Sequence, residues 1–459
     1  MAICLGILGV CTSQCVMGQP WITRYPDNHI KFGLVSPDNC EPSISLSDGS
    51  TTKQIVYDAK NQYTNQALTY SRYAYFFTAS VKPGTTYTWS YETAKSKLGP
   101  FKFRLRSAED ASSSRYLWTA DMDISDNSRP TVAALVNNLD LTKYDGYMHG
   151  GDFAYDINDD DGMKGDRYFE SLGSVTASVP FMPIAGNHEN YDNGRLFDYR
   201  FKMPSSTDNN LWHVVQHDTL FLFVNYDMML TWKGMSMTDA VMKIKSIFDE
   251  NSAVQWRVVV SHRPDYCGDL ETVDCFVNIY ALKAIDDLYR KYKVDILMQS
   301  HEHFYERLKV IDSQLNIDQS CYKAGKAGIQ AIYDRCSHPV TVINGCAGNE
   351  EIFPTNVTTN GFSELHISGV QCFAEVAIER GSLSIAVRSS ADFSEIDNFK
   401  LLKDVQPQSS KAYLTYYIIG GLIVTIVFSL LLFKASPSSK DRPDGFTECD
   451  LVNNKLDIN

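Results

Sequence analysis

Apolar positions along the chain follow two regimes. From 19 to 107 they alternate in short runs. Residues 30–35 read as a strand, 43–47 alternate, and 69–80 form a longer run stopped at Lys82-Pro83-Gly84. Runs 85–91 and 101–106 follow, divided by Gly99-Pro100. Short strands parted by Pro/Gly turns predict a β-sandwich over 19–107. No His, Asp or Glu cluster forms there, so the sandwich is expected to be a lid or spacer.

After a polar linker the period changes. Run 116–120 ends at Asp121, and Pro130 suits the first turn of a helix reaching Leu139. A short strand near 144–149 delivers Asp152, a helical stretch covers 166–178, and 179–184 leads into Gly186-Asn187-His188-Glu189. Run 219–226 precedes a helix capped by Thr238 or Asp239. Run 256–260 delivers His262, a helix spans 278–291, and 294–298 delivers His301 and His303. Strand, polar cluster and helix in repeated order predict an α/β domain with helices around a central sheet. Residues 304–372 read as loop-rich, and a hairpin within 371–387 closes the domain, taken as 108–390. Residues 391–412 read as a polar stalk.

The ends change the picture. Residues 1–18 resemble a signal peptide, although no Lys or Arg opens it. Residues 413–433 carry no charge and are long enough to cross a bilayer as a helix. Lys434, Lys440 and Arg442 mark 434–459 as a cytoplasmic tail. The expectation is a single-pass type I membrane protein at the cell surface or endolysosomal membrane. Asn356-Val357-Thr358 is a glycosylation sequon. Cys267 and Cys275 are placed to close a loop beside His262, and four cysteines from Cys321 to Cys372 can form two bridges. Cys40 is then unpaired or linked between chains, as in a homodimer. A formal net charge of -13 argues against nucleic acid as a partner.

The polar clusters at the strand ends carry the chemistry. Asp121, Asp152, Asn187, His262, His301 and His303 offer oxygen and nitrogen ligands without cysteine. Strand ends of α/β folds converge on one edge of a sheet. The set suffices for two metal ions bridged by Asp152, an arrangement suited to displacement at phosphorus.

The ordered motifs Asp121, GDFAY at 151–155, GNHE at 186–189, VVSH at 259–262 and SHEH at 300–303 resemble the purple acid phosphatases, a branch of the metallophosphoesterases. SHRPDYC at 261–267 and HEHFYER at 301–307 are similar to the animal-type and plant-like two-domain members. The resemblance covers residues 20–390. It implies an α/β metallophosphoesterase sandwich with an N-terminal fibronectin III-like β-sandwich. It implies Fe3+ held by Asp121, Asp152, Tyr155 and His303. It implies Zn2+, Fe2+ or Mn2+ held by Asp152, Asn187, His262 and His301, with His188 facing a small phosphorylated substrate as proton donor or charge stabiliser. The activity implied is acid phosphomonoester hydrolysis. Diester or pyrophosphate hydrolysis on the same fold, or a non-enzymatic surface receptor, are the alternatives. Three positions depart from the family pattern. Asp123 and Ser300 stand where glycine is usual, and Thr272 stands where plant-type members offer another His.

Overall fold

The computed structural model describes residues 16–93, 96–107, 113–205, 209–269, 282–326, 328–351 and 358–405. Near the N-terminus two antiparallel four-stranded sheets face each other. One has the order Gly18–Tyr25, His29–Ser36, Tyr70–Ser80, Ala59–Asn65. The other runs Thr52–Val56, Ser43–Ser47, Thr86–Glu92, Lys97–Arg104. The alternation read from the sequence sends Ile30, Phe32, Leu34, Ile44, Leu46 and Trp89 into a shared core. Phe32 meets Trp89 edge-on at 5.0 Å between ring centroids, a favoured aromatic geometry. Gly99-Pro100 does not divide the last strand, which runs through it from Lys97 to Arg104.

The rest of the described chain builds two larger sheets rather than one central sheet. Eight strands run in the order Phe181–Pro183, Gly146–His149, Ser114–Thr119, Cys372–Ile378, Ser382–Ser389, Glu395–Leu402, Ala331–Asp334, Tyr322–Ala324. Seven run Leu211–Gln216, Thr219–Val224, Trp256–Ser261, Ile296–Gln299, Val340–Asn344, Tyr305–Leu308, Ser363–Ile367. Tyr116, Trp118, Phe373 and Ile385 of the first sheet share a core with Phe221, Phe223, Val258 and Val260 of the second. The intervening Leu220, Leu222 and Val259 point the other way, onto Ile244 and Phe248 of helix Met237–Glu250 and Ile285 and Leu288 of helix Lys283–Lys291. Strands covered on both faces read as continuous apolar runs, which is why 219–226 shows no alternation.

Several expectations are corrected. Residues 304–372, read as loop-rich, contain five strands among the described residues. Of the supposed stalk 391–412, Glu395–Leu402 is an interior strand of the eight-stranded sheet. Its fully buried Asp397 pairs with Arg307 at 2.8 Å, so a charge occupies an inward position where an apolar residue would have revealed the strand. The helix expected from Pro130 to Leu139 is present, as α-helix Arg129–Ala133 widening into a π-helical turn Ala134–Asn138. Ser236, not Thr238 or Asp239, caps helix Met237–Glu250, its hydroxyl accepting from the Asp239 amide at 3.1 Å. Cys321–Cys336 and Cys346–Cys372 are the two expected bridges. Cys40 and Cys267 are also disulfide-bonded, so Cys40 is not an unpaired residue kept for a link between chains.

Among the described residues no helix is long and apolar enough to cross a membrane. This overturns the expectation of a single-pass type I protein at the cell surface or endolysosomal membrane. The 413–433 stretch and the tail to 459 lie outside the described residues, as do residues 1–15 of the supposed signal peptide, Thr272, Cys275 and Asn356. Gly18 already belongs to the first strand, and Met17 is buried in the sandwich core.

Candidate metal centre

Strands Ser114–Thr119, Gly146–His149 and Phe181–Pro183 are mutually parallel neighbours, as are Trp256–Ser261 and Ile296–Gln299 in the facing sheet. Asp121, Asp152, Asn187, His262 and His301 follow their C-terminal ends, where α/β folds form ligand sites. The turns there are tight. Asp121, Asp152, Tyr155 and His301 have φ of 56°, 55°, 42° and 76°. Left-handed non-glycine residues store strain, commonly about 1–3 kcal/mol each, and cluster at functional sites. Gly186 permits the closest approach: a Cβ there would collide with the Asp152 carboxylate.

The eight expected site residues form one cluster. His262 Nδ1 donates to the Gly150 carbonyl at 2.9 Å, which leaves the Nε2 lone pair of the neutral ring facing inward. That Nε2 lies 2.9 Å from Asn187 Oδ1 and 3.2 Å from Asp152 Oδ2. With a proton on Nε2 these contacts are hydrogen bonds donated by the ring, and with the ring neutral three lone pairs meet where a cation would sit. Ligand atoms on one ion at metal–ligand distances of about 2.0–2.2 Å are separated by similar gaps. One donor atom each from Asp152, His262 and His301 lies within 4.8 Å of the others. On the other side, the Tyr155 hydroxyl lies 3.1 Å from Asp121 Oδ1 and 2.8 Å from His303 Nε2. Its single proton has two acceptors. The donor set fits two cations, with Asp152 between the groups.

Charge favours a proton at that meeting point until a cation takes its place. Burial opposes charge on His262, but Asp152 overrides it and pushes the pKa up to about 9. Burial likewise resists ionisation of Asp152, yet His262 holds it below the usual carboxylate range. Burial holds Asp121 well above that range despite His262. It also raises the Tyr155 phenol well above 10, with Asp121 adding. Only a strong local cation would make a phenolate of it. His303 is pushed down to about 4 by burial, which keeps its lone pair available.

His188 stands at the edge. Its amide donates to Asp152 Oδ1 at 2.9 Å, and its Nδ1 lies 2.6 Å from Asp156 Oδ1. Burial alone would discharge it, but the Asp156 hydrogen bond and the Asp152 charge push its pKa up to about 10. Glu351 lies 3.7 Å from Nε2 of both His188 and His303. Fully buried Glu189 accepts amides of Gly186, Asp152 and Phe153 at 2.7, 3.0 and 2.8 Å, tying two ligand loops together. Asp123 makes no hydrogen bond with Tyr155 or His303. One oxygen accepts the Ser125 amide at 2.8 Å, and the other is buried without a hydrogen-bond partner. Sequence reasoning missed Asp156, Asp227, Arg263 and Glu351. Only Asp156 and Arg263 gave any signal, as immediate neighbours of Tyr155 and His262.

Comparison with known proteins places these residues in context. The family model described as calcineurin-like phosphoesterase matches residues 115–305. Human acid phosphatase type 7 is 28% identical over 313 residues, covering 62% of this chain and 68% of that protein. An Arabidopsis thaliana protein called probable inactive purple acid phosphatase 1 is 22% identical over 286 residues, covering 58% and 44%. The solved purple acid phosphatase PPD1 from yellow lupin seeds shares the fold, with a TM-score of 0.67 at 16% identity, over 85% of this chain and 75% of that one.

Proposed function

Because the chain is a metallophosphoesterase of the purple acid phosphatase type, we propose that it hydrolyses small phosphomonoesters at a two-metal centre. Asp121, Asp152, Tyr155 and His303 would hold Fe3+, whose hard charge suits carboxylate and phenolate oxygen. Asp152, Asn187, His262 and His301 would hold Zn2+, Fe2+ or Mn2+. Such a pair supplies activation of water and neutralisation of phosphoryl charge. The single observation that carries this reading is the convergence of Asn187 Oδ1 and Asp152 Oδ2 on His262 Nε2, at 2.9 and 3.2 Å. His262 keeps the ligating tautomer through Gly150, and Glu189 braces the loops of Asp152 and Asn187. His188, held at Nδ1 by Asp156, donates from Nε2 to the departing alkoxide. The sandwich, which begins at Met17 and ends by residue 107, braces the phosphoesterase domain, which runs on through Leu402, and takes no part in the chemistry.

The test is metal analysis joined to hydrolysis of an aryl phosphate and a diester by the wild-type chain and Asp152→Ala. Wild type should bind two metals and cleave the monoester faster, and the variant should lose at least one metal and turnover. A folded Asp152→Ala chain with both metals sinks the bridging role. A metal-loaded wild type inert on both esters favours a binding protein, the second reading, motivated by the relative whose name marks it probably inactive.

A further inference from the structure

Glu351 stands beside the proton donor. Its Oε1 lies 3.7 Å from His188 Nε2, and its Oε2 lies 3.7 Å from His303 Nε2. Both gaps exceed a hydrogen bond, and the carboxylate has no hydrogen-bond partner among the described residues. Its backbone is fixed all the same. The Glu351 amide donates to Asn349 Oδ1 at 2.9 Å, and fully buried Asn349 donates from Nδ2 to the Asp121 carbonyl at 3.2 Å. One amide side chain therefore ties Glu351 to a metal-ligand loop. The Glu351 side chain is half exposed, so a ligand arriving from solvent can reach it. The cations around it are matched by other acids: His188 by Asp156 at 2.6 Å, and Lys164 by Glu350 at 2.7 Å. No Lys or Arg pairs with Glu351 among the described residues, and none of residues 206–208, 270–281, 327 and 352–357 is Lys or Arg. A negative charge is thus left over where the leaving group departs.

We infer that Glu351 sets specificity, by taking an ammonium group carried on the leaving group of the preferred phosphomonoester; this rests on the phosphatase reading above. The substrate class is then the small phosphate esters of amino alcohols. The spacing fits. The ester oxygen accepts from His188 Nε2 and the ammonium donates to Glu351 Oε1, each at about 2.9 Å. The two protein atoms are 3.7 Å apart. Two carbons between oxygen and nitrogen hold those atoms roughly 3–4 Å apart, at bond lengths of about 1.5 Å. An ammonium–carboxylate hydrogen bond is charge-assisted and strong. The same carboxylate repels a leaving group that bears a carboxylate or a second phosphate, which adds discrimination by repulsion.

Three esters of similar length test this near neutral pH, where amines and carboxylates are both charged: 2-aminoethyl phosphate, propyl phosphate and carboxymethyl phosphate. The full chain is loaded with iron and zinc as wild type, Glu351→Gln and Glu351→Lys, and its metal content is measured. The reading is the ratio of kcat/KM between esters within one variant, so a general loss of activity cancels. Wild type should prefer aminoethyl to propyl phosphate about 10-fold, the size of a partly exposed hydrogen bond between charged groups, and should disfavour carboxymethyl phosphate further. Glu351→Gln should bring the first ratio to about one, because the charge is gone. Glu351→Lys should reverse the order of the amine and the carboxylate. Calorimetric binding of 2-aminoethylphosphonate and propylphosphonate, which hold no ester bond to cleave, should follow the same order. A wild-type ratio near one in cleavage or in binding overturns the inference, as does a preference unchanged in both variants. So does loss of metal from both variants, which would make Glu351 a ligand. A wild type that prefers aminoethylphosphonate but cleaves no ester sinks the phosphatase reading alone. A metal-loaded wild type that binds neither phosphonate overturns the inference as well.

Discussion

Removing one carboxylate, Asp166, should loosen the joint between the N-terminal sandwich and the phosphoesterase sheets. Asp166 lies on helix Met163–Ser171, shortly after Tyr155. Its Oδ1 accepts from Gln19 Nε2 at 2.7 Å, the Tyr70 hydroxyl at 2.7 Å and Arg200 Nη2 at 2.8 Å, and its Oδ2 from Arg72 Nε at 2.9 Å. Gln19, Tyr70 and Arg72 come from the sandwich, so four donors from two layers share one group. Arg200 is 1% exposed. Asp166→Ala would leave its charge buried with only neutral partners. Breaking a buried pair in this way costs about 3–5 kcal/mol, a large part of a typical stability of about 5–15 kcal/mol. Replacing Asp166 and its fully buried partner together, Asp166→Leu with Arg200→Met, should cost less than the two single changes combined, because no buried Arg200 charge is left behind, although Arg72 still loses its carboxylate. Equilibrium urea denaturation of wild type, both single variants and the double variant measures this. The single variants should each be strongly destabilised and the double variant less so than their sum. A loss below about 1 kcal/mol in Asp166→Ala, the level of an exposed pair, would refute the reasoning. The same helix carries Lys164, which bonds the Tyr155 carbonyl, so activity should fall near the lowered transition and not far below it.

The other expectations concern single groups. Tyr155→Phe should keep iron yet lose the visible charge-transfer band expected of a ferric phenolate; an unchanged band with iron intact excludes Tyr155 as ligand. His188→Ala should retain both metals and lose roughly 10²- to 10⁴-fold in turnover of a poor leaving group, and unchanged turnover removes its role. Asp123→Gly should leave metal content unchanged, because its side chain meets Ser125 and not Tyr155 or His303; metal loss would move the ligand register. Burial, with Asp286 adding, pushes Asp265 up to about 8. Its folded pKa exceeds its unfolded value near 4, so stability is full at low pH and falls by about 1.4 kcal/mol per unit up to about pH 8. Urea midpoints should therefore favour Asp265→Asn more at pH 8 than at pH 5, and an equal offset at both would refute the shift.

Much of the candidate site was legible because coordination chemistry restricts which residues can serve. Asp121, Asp152, Asn187, His262, His301 and His303 each stand just beyond an apolar run, and that local pattern sufficed to group them. The sandwich strands were legible for a related reason: a sheet with one buried face writes its period of two into the chain. The two larger sheets were not. Runs buried on both faces, such as 219–226, show only that they are covered and not by what. Glu395–Leu402 was hidden because Asp397 faces inward, and only the distant Arg307 makes that tolerable. The tether of Arg263 to Asp227 and the meeting of Glu351 with His188 and His303 join residues far apart in sequence. By itself the sequence determined which side chains are competent to hold metals and which local periods the backbone follows, since both depend on residue type and near neighbours. The tertiary structure decided which strands pair, which charges meet and which donors converge, because those depend on long-range packing that no local pattern encodes.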